Sequence, residues 1–409
     1  MISRGTVRSA HGACIEAAIA GARLGDGVRV EGGFGSFLGK VTALREGLSL
    51  IAPHGAIEGV RAGDTASVDP RALRLPLGAA LLARTIDATG LPLDGGPPLR
   101  GRRRALDARP PQPGARAAVR DPFWTGVRAI DGLLTLGRGA RVGIFGSPGV
   151  GKSTLLELLF RSRADAVVVA LIGERGREAQ AWMQRCNGRS TIVCATSDRS
   201  PAERARAATV AMAQAEALRS RGLHVLLLFD SLARFGSSLR ELALARGETA
   251  GRGGFPPSVF GELARFIEVA GACSRGSITL MASVLSDGDE RDPLSDAARS
   301  LLDGHIQLSA HLAQAGHFPA VDILASASRT MSAVTTSDHR RDAERVRRAL
   351  DALAQSADAR AIGISPVDAL TSAAAACEEA IASFLCQDSR PCEPGETLAG
   401  LALLARSLT

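Results

Sequence analysis

Residues 146–154 read GSPGVGKST, between an apolar run (RVGIF) and a leucine-rich one (LLELLF). The string satisfies G-x-x-x-x-G-K-[ST] through Gly146, Gly151, Lys152 and Ser153, with a strand-like stretch before it and a helix-like one after. Glycines let the backbone of such a loop, here Ser147, Pro148, Gly149 and Val150 between the end glycines, turn its N–H groups (Pro148 has none) inward around phosphate oxygens. The following helix, opening near Thr154, adds the positive end of its dipole. The chain carries 49 Lys plus Arg, and only Lys40 and Lys152 are lysines. A compact ammonium reaches between phosphates where a planar guanidinium fits poorly, so a lysine kept at 152 marks a nucleotide phosphate site. Ser153 is then the expected Mg²⁺ ligand. The bland alternative is a glycine turn with a chance lysine, and the flanking pattern argues against it.

Two further stretches supply carboxylates. HVLLLFD, residues 224–230, ends a continuous apolar run on Asp230, where a carboxylate can hold Mg²⁺ through a water. VVVALIGERGRE places Glu174 just beyond another apolar run, where it can polarise an attacking water, with Arg175 beside it to contact the γ-phosphate. Alone, Asp230 could simply close a strand, and GERGRE could be a charged loop.

These residues need a scaffold. Residues 5–70 read as short alternating strands between Gly turns, expected to form a small all-β barrel or sandwich. Residues 94–122 are rich in Pro, Gly and Arg and read as an extended connection. From about 125 the pattern is α/β, with continuous apolar runs at 141–145, 166–173, 191–195, 224–229, 277–285 and 305–308. Continuous apolarity suits a parallel sheet covered on both faces. A helix is expected from Ser200, with Pro201 at N1 and Glu203 at N3, to Gly222. Beyond 340 the chain is Ala-, Arg- and Leu-rich and reads as helical.

A length of 409 residues implies two or three domains. The net charge of +7 admits nucleic acid or an acidic membrane surface as partner, but aromatics are 3% with no Tyr, a poor base-stacking repertoire. Seven dispersed cysteines without CxxC argue for a reducing compartment and against a zinc site, and His305, His311 and His317 lack metal-ligand spacing. No run of about 18 apolar residues occurs, so a cytosolic chain is expected, with any membrane association peripheral.

Over nearly its whole length the sequence resembles the catalytic subunits of rotary-type ATPases, and in particular the type III secretion ATPases. The resemblance is carried by TGVRAIDGLL, GIFGSPGVGKST, LIGERGRE, LLLFDSLARF, GRGGFPPSVFGELARFIEVAG, GSITLMASVLSDGDERDPLSD, RSLLDGHIQLS and HFPAVDILASASR. It implies an α/β fold: a RecA-like P-loop core at 73–340, a β-barrel domain at 1–72 and a helical C-terminal domain at 341–409. It further implies that Glu174 activates water, Arg175 contacts phosphate, Asp230 is the second acidic motif with Arg234 in the same segment, Phe318 packs on adenine, and Arg329 is an arginine finger given to a neighbouring subunit. The second aromatic of the nucleotide pocket has no clear counterpart after Phe384.

The function implied is MgATP hydrolysis in a homohexamer at the cytosolic base of a protein-export apparatus, peripheral to the inner membrane at the export gate. The implied partners are a stator, a central stalk and chaperone–effector complexes. An injectisome ATPase is the reading preferred over a flagellar export ATPase, with a rotary ATP synthase subunit and a Rho-like RNA translocase further off. No nucleic-acid partner is expected.

Overall fold

The computed structural model describes residues 3–285, 292–362 and 368–408. The SDGDER string at 286–291 and the GISPV string at 363–367, both part of the expected motif and C-terminal patterns, lie outside the described residues.

The first six strands are Arg4–His11, Cys14–Ile19, Gly27–Gly32, Gly35–Arg45, Leu48–Pro53 and Thr65–Val68. They close into a barrel because Thr65–Val68 pairs antiparallel with both Arg4–His11 and Gly27–Gly32. Alternate residues point inward, so Ile15, Ala17 and Ile19 join Val28, Val30, Val41 and Ile51 in one small core. Barrel, not sandwich, is therefore the outcome, and closure leaves no open edge.

The central sheet runs in the order Val321–Ser328, Gly304–Leu308, Arg141–Gly146, Ser277–Leu285, His224–Asp230, Ala166–Ile172, Ser190–Ala195, Arg84–Asp87. Neighbours along this path are parallel except for the antiparallel Val321–Ser328. Both faces are covered, and the two-residue period sorts each strand between two cores. Val167, Val169 and Leu171 enter one, whereas Ala166, Val168, Ala170 and Ile172 enter the other. All six apolar runs read from the sequence become strands of this sheet. Arg84–Asp87 and Val321–Ser328 escape that reading, since RTID and VDILASAS mix polar and apolar residues at the sheet's two edges.

Helix Pro201–Arg219 has the expected capping box: Ser200 Oγ accepts from Glu203 N, and the Glu203 carboxylate accepts from Ser200 N. It stops at Arg219, short of the expected Gly222, which takes a positive φ of 91° in the turn that follows. Within residues 94–122 the strand Arg103–Ala105 pairs with Arg74–Pro76, Pro113–Ala115 forms a short 3-10 helix, and Pro122 opens the strand Pro122–Phe123.

C-terminal helices Ser337–Gln355, Ala369–Ala376, Glu378–Leu385 and Pro394–Ser407 bury Val346, Leu353, Ala374, Phe384, Leu401 and Leu404. These side chains belong to the same apolar cluster as one face of the sheet and helix Arg128–Leu133. Small residues allow the close approach: a Cβ on Gly132 would lie 3.1 Å from Phe384 Cζ. The helical region is thus packed directly onto helix Arg128–Leu133 and one face of the sheet.

Candidate active site

Strand Arg141–Gly146 ends in the loop of residues 147–151, and helix Lys152–Phe160 begins immediately after it. Gly149 and Gly151 have φ of 83° and 95°, values that side-chain-bearing residues rarely adopt. The first bond closing onto the helix runs from Leu155 N to Gly151 O. Among the described residues no protein acceptor takes the backbone N–H of Gly149, Gly151 or Ser153. Such a turn of inward N–H groups at a helix N-terminus suits phosphate oxygens. Lys152 Nζ lies across the loop, donating to Gly146 O at 2.6 Å and Ser147 O at 2.7 Å. The side chains of Ser153 and Thr154 are exposed at the mouth.

The carboxylates sit at the same carboxyl-terminal edge of the sheet. Asp230 closes its strand opposite Leu171, so the strand carrying Glu174 is its direct neighbour. The P-loop strand lies two strands from Asp230, about 10 Å laterally. Asp230 Oδ1 accepts from Ser283 Oγ at 2.5 Å. Desolvation pushes the Asp230 carboxyl up, while Ser283, Arg234 and Lys152 pull it down.

Glu174 is 6% exposed. Its backbone is fixed by Gly173 N to Ala195 O at 2.7 Å and Ser197 N to Glu174 O at 3.0 Å. Its carboxylate is ion-paired with Arg234, one turn along the helix Leu232–Ala245 that follows Asp230. Gly173 makes the approach possible, since a Cβ there would lie 3.0 Å from Arg234 Cδ. Burial is the main cause lifting the Glu174 carboxyl to about 7; Arg234 lowers it, and Asp230 and Glu178 raise it. Arg175 is exposed at the N-terminus of helix Gly176–Met183.

Phe318 and Arg329 flank one strand, Val321–Ser328, at its two ends. Val321 pairs with Leu308, beside the end of the P-loop strand, and Phe318 stands against the loop itself: a Cβ on Gly151 would lie 3.6 Å from its ring. A cavity of about 660 Å³ opens beside Phe318, lined by Arg128, Gln387, Pro391 and Cys392. Gln387 N donates to Phe318 O, and Gln387 Oε1 accepts from Arg128 N. Phe384 is buried instead against Gly132, outside this wall.

Arg329 goes elsewhere. Ser328 pairs with Gly304, which in turn is level with Val142. That is four residues, about 13 Å, below the end of the P-loop strand, and two strands aside. The chain therefore brings Gly146 to Thr154, Glu174, Asp230 and Phe318 to one edge of the sheet and leaves Arg329 exposed at the other. Sequence reasoning missed Ser283, one of three hydroxyl residues in the strand Ser277–Leu285, and Asp131. The Asp131 carboxylate is fully buried and accepts from Thr125 N, Thr125 Oγ1 and Gly126 N.

The nucleotide-binding domain of the ATP synthase alpha/beta family matches residues 126–328, the span holding these groups. A type 3 secretion system ATPase of Pseudomonas syringae pv. tomato is 42% identical over 428 residues, covering 99% of this chain and 94% of that protein. The chain belongs to the type 3 secretion system ATPase family. A flagellum-specific ATP synthase of Pseudomonas aeruginosa is 43% identical over 327 residues, covering 76% of this chain and 72% of that protein. Among solved structures, the assembled ATPase EscN of the enteropathogenic E. coli type III secretion system superposes with a TM-score of 0.92 at 38% identity, covering 98% of this chain and 100% of EscN. The same ATPase in complex with its central stalk EscO gives 0.90 at 37%, with the same coverage. This member of the family is an ATPase with a RecA-like core, an N-terminal barrel and a helical C-terminal region. Among the described residues no helix is long and apolar enough to cross a membrane.

Proposed function

We propose that this secretion ATPase hydrolyses MgATP at a site completed by a second copy of the chain, and that the cycle drives chaperone release, unfolding and export of secreted proteins. The loop of residues 146–154 cradles the phosphates through backbone N–H groups, Lys152 swings from the loop carbonyls onto the phosphates, and Phe318 stacks on the adenine. Ser153 and Asp230 would hold Mg²⁺, which would supply positive charge against the charge developing on the phosphates. Glu174 takes a proton from the attacking water, Arg234 holds it in place, and Arg175 contacts the γ-phosphate.

The observation that carries the shared site is the placement of Arg329 at the sheet edge opposite its own P-loop. An exposed guanidinium so placed suits a finger for the next subunit, hence a homohexamer. In that ring residues 1–72, 73–340 and 341–409 act as barrel, motor and helical units, with a central stalk like that of EscN, a stator, chaperone–effector complexes and the inner-membrane export gate as partners. The injectisome is the reading we keep over flagellar export.

The test is mass and ATPase rate measured together across protein concentration. The rate per subunit rises as the hexamer forms; full activity in a monomer at every concentration overturns the shared site.

A further inference from the structure

The other lysine, Lys40, lies far from the phosphate loop in sequence and lines a second cavity, of about 550 Å³, between the barrel and the ATPase core. The barrel contributes Val41 and Ala52 to its walls, and the core contributes Met212, Leu239, Leu242 and Phe266, all buried. Two polar side chains are buried among them: Arg206 is 5% exposed and His54 7%. Arg206 belongs to helix Pro201–Arg219, and His54 directly follows the barrel strand Leu48–Pro53.

Their hydrogen bonds are one-sided. Arg206 Nε donates to Ala88 O at 2.7 Å, and Nη1 lies 3.0 Å from His54 Nδ1. A guanidinium only donates, so His54 Nδ1 is the acceptor and its ring proton sits on Nε2. Burial holds the His54 pKa well below 6.5, with Arg206 and Lys40 adding to the effect, so the ring is neutral. Among the described residues no protein atom accepts from Arg206 Nη2 or His54 Nε2, and no carboxylate forms an ion pair with Arg206. Asp87 is the carboxylate Arg206 feels, and its Oδ1 already accepts from Thr89 and Leu91 N–H. Burial lowers the Arg206 pKa to about 10. A buried cation without a directly ion-paired carboxylate is costly in a folded protein. Here it faces a cavity of ligand size, whose apolar walls also carry Arg246 and Arg265 and the carboxylates of Glu262, ion-paired with Arg246, and Asp107, ion-paired with Arg109.

We propose that this cavity binds a small organic anion, its carboxylate, phosphate or sulfonate head on Arg206 and His54 with Lys40 at the mouth, and its apolar body against Met212, Leu239 and Phe266. Because the walls come from both bodies, the bound anion ties the barrel to the core.

The experiment titrates the full chain, its nucleotide site saturated with MgADP, with the anionic dye anilinonaphthalene sulfonate and separately with the neutral dye phenylnaphthylamine, following fluorescence. The sulfonate binds saturably at one site per chain. Lys40→Glu, at an exposed position, and Arg206→Met each weaken it about tenfold or more, the size of one lost charge contact. The neutral dye is unaffected by either substitution. Circular dichroism checks the fold of Arg206→Met; should that variant not fold, Lys40→Glu alone decides. Unchanged sulfonate affinity in Lys40→Glu, absence of saturable binding, or equal sensitivity of the neutral dye overturns the site.

Discussion

Glu174 is held between opposing influences, and their balance sets its chemistry. Burial and the neighbouring Asp230 and Glu178 favour the neutral acid, while Arg234 favours the carboxylate, leaving the group at about 7. A base poised near the working pH is the efficient arrangement. In the proposed role Glu174 must be ionised to accept a proton, so turnover is expected to fall as pH drops through about 7. Glu174→Gln is expected to lose about 10²–10⁴-fold in kcat and to lose this acid limb, with nucleotide affinity little changed. Steady-state ATPase profiles and binding of a fluorescent nucleotide check both. Arg234→Ala removes the cation that lowers the Glu174 pKa, so its acid limb moves to higher pH; an unmoved limb contradicts the positioning role.

Helices position these groups through their ends. Helix Arg128–Leu133 is tied at its start by Asp131, whose two oxygens take Thr125 N, Thr125 Oγ1 and Gly126 N. An amide in its place would turn an NH₂ toward at least one of these donors, leaving a buried N–H or O–H without an acceptor. Asp131→Asn should therefore destabilise the protein by about 1–3 kcal/mol, read as a lower urea midpoint at constant m-value. The same helix carries Arg128, which bonds Gln387 and lines the cavity by Phe318, so the apparent KM for ATP should rise as well. A variant as stable as the wild type would remove Asp131 from this role.

Across the whole molecule, the strand Val321–Ser328 separates two residues with proposed roles, Phe318 and Arg329. It begins just after Phe318, beside the phosphate loop, and delivers Arg329 to the opposite end of the sheet. In mixed rings, Arg329→Ala is expected to silence neighbouring wild-type sites, each lacking a finger being slowed by about 10³–10⁵-fold. Activity of such mixtures then falls more steeply than the wild-type fraction when dilution is ruled out by mass. A fall confined to the variant's own sites would place the arginine in cis.

The phosphate loop, the capping box at Ser200 and the buried strands were legible in the sequence because each depends on residues within a few positions of one another. Gly149, Gly151 and Lys152 shape their loop through local backbone angles and short-range bonds. Resemblance supplied Phe318 and Arg329, but not their separation. Strand register decides that: the edge strand Val321–Ser328 runs antiparallel to its neighbour and carries its two ends to opposite edges of the sheet. Likewise, no spacing rule links Arg234 to Glu174 or Arg206 to His54, whose partners come from different elements. Desolvation and ion pairing across such contacts depend on what surrounds a group in three dimensions. The sequence alone therefore determined where the proposed phosphate loop lies, and the tertiary structure decided how acidic Glu174 is, which edge of the sheet Arg329 reaches, and that Lys40 and Arg206 line one cavity.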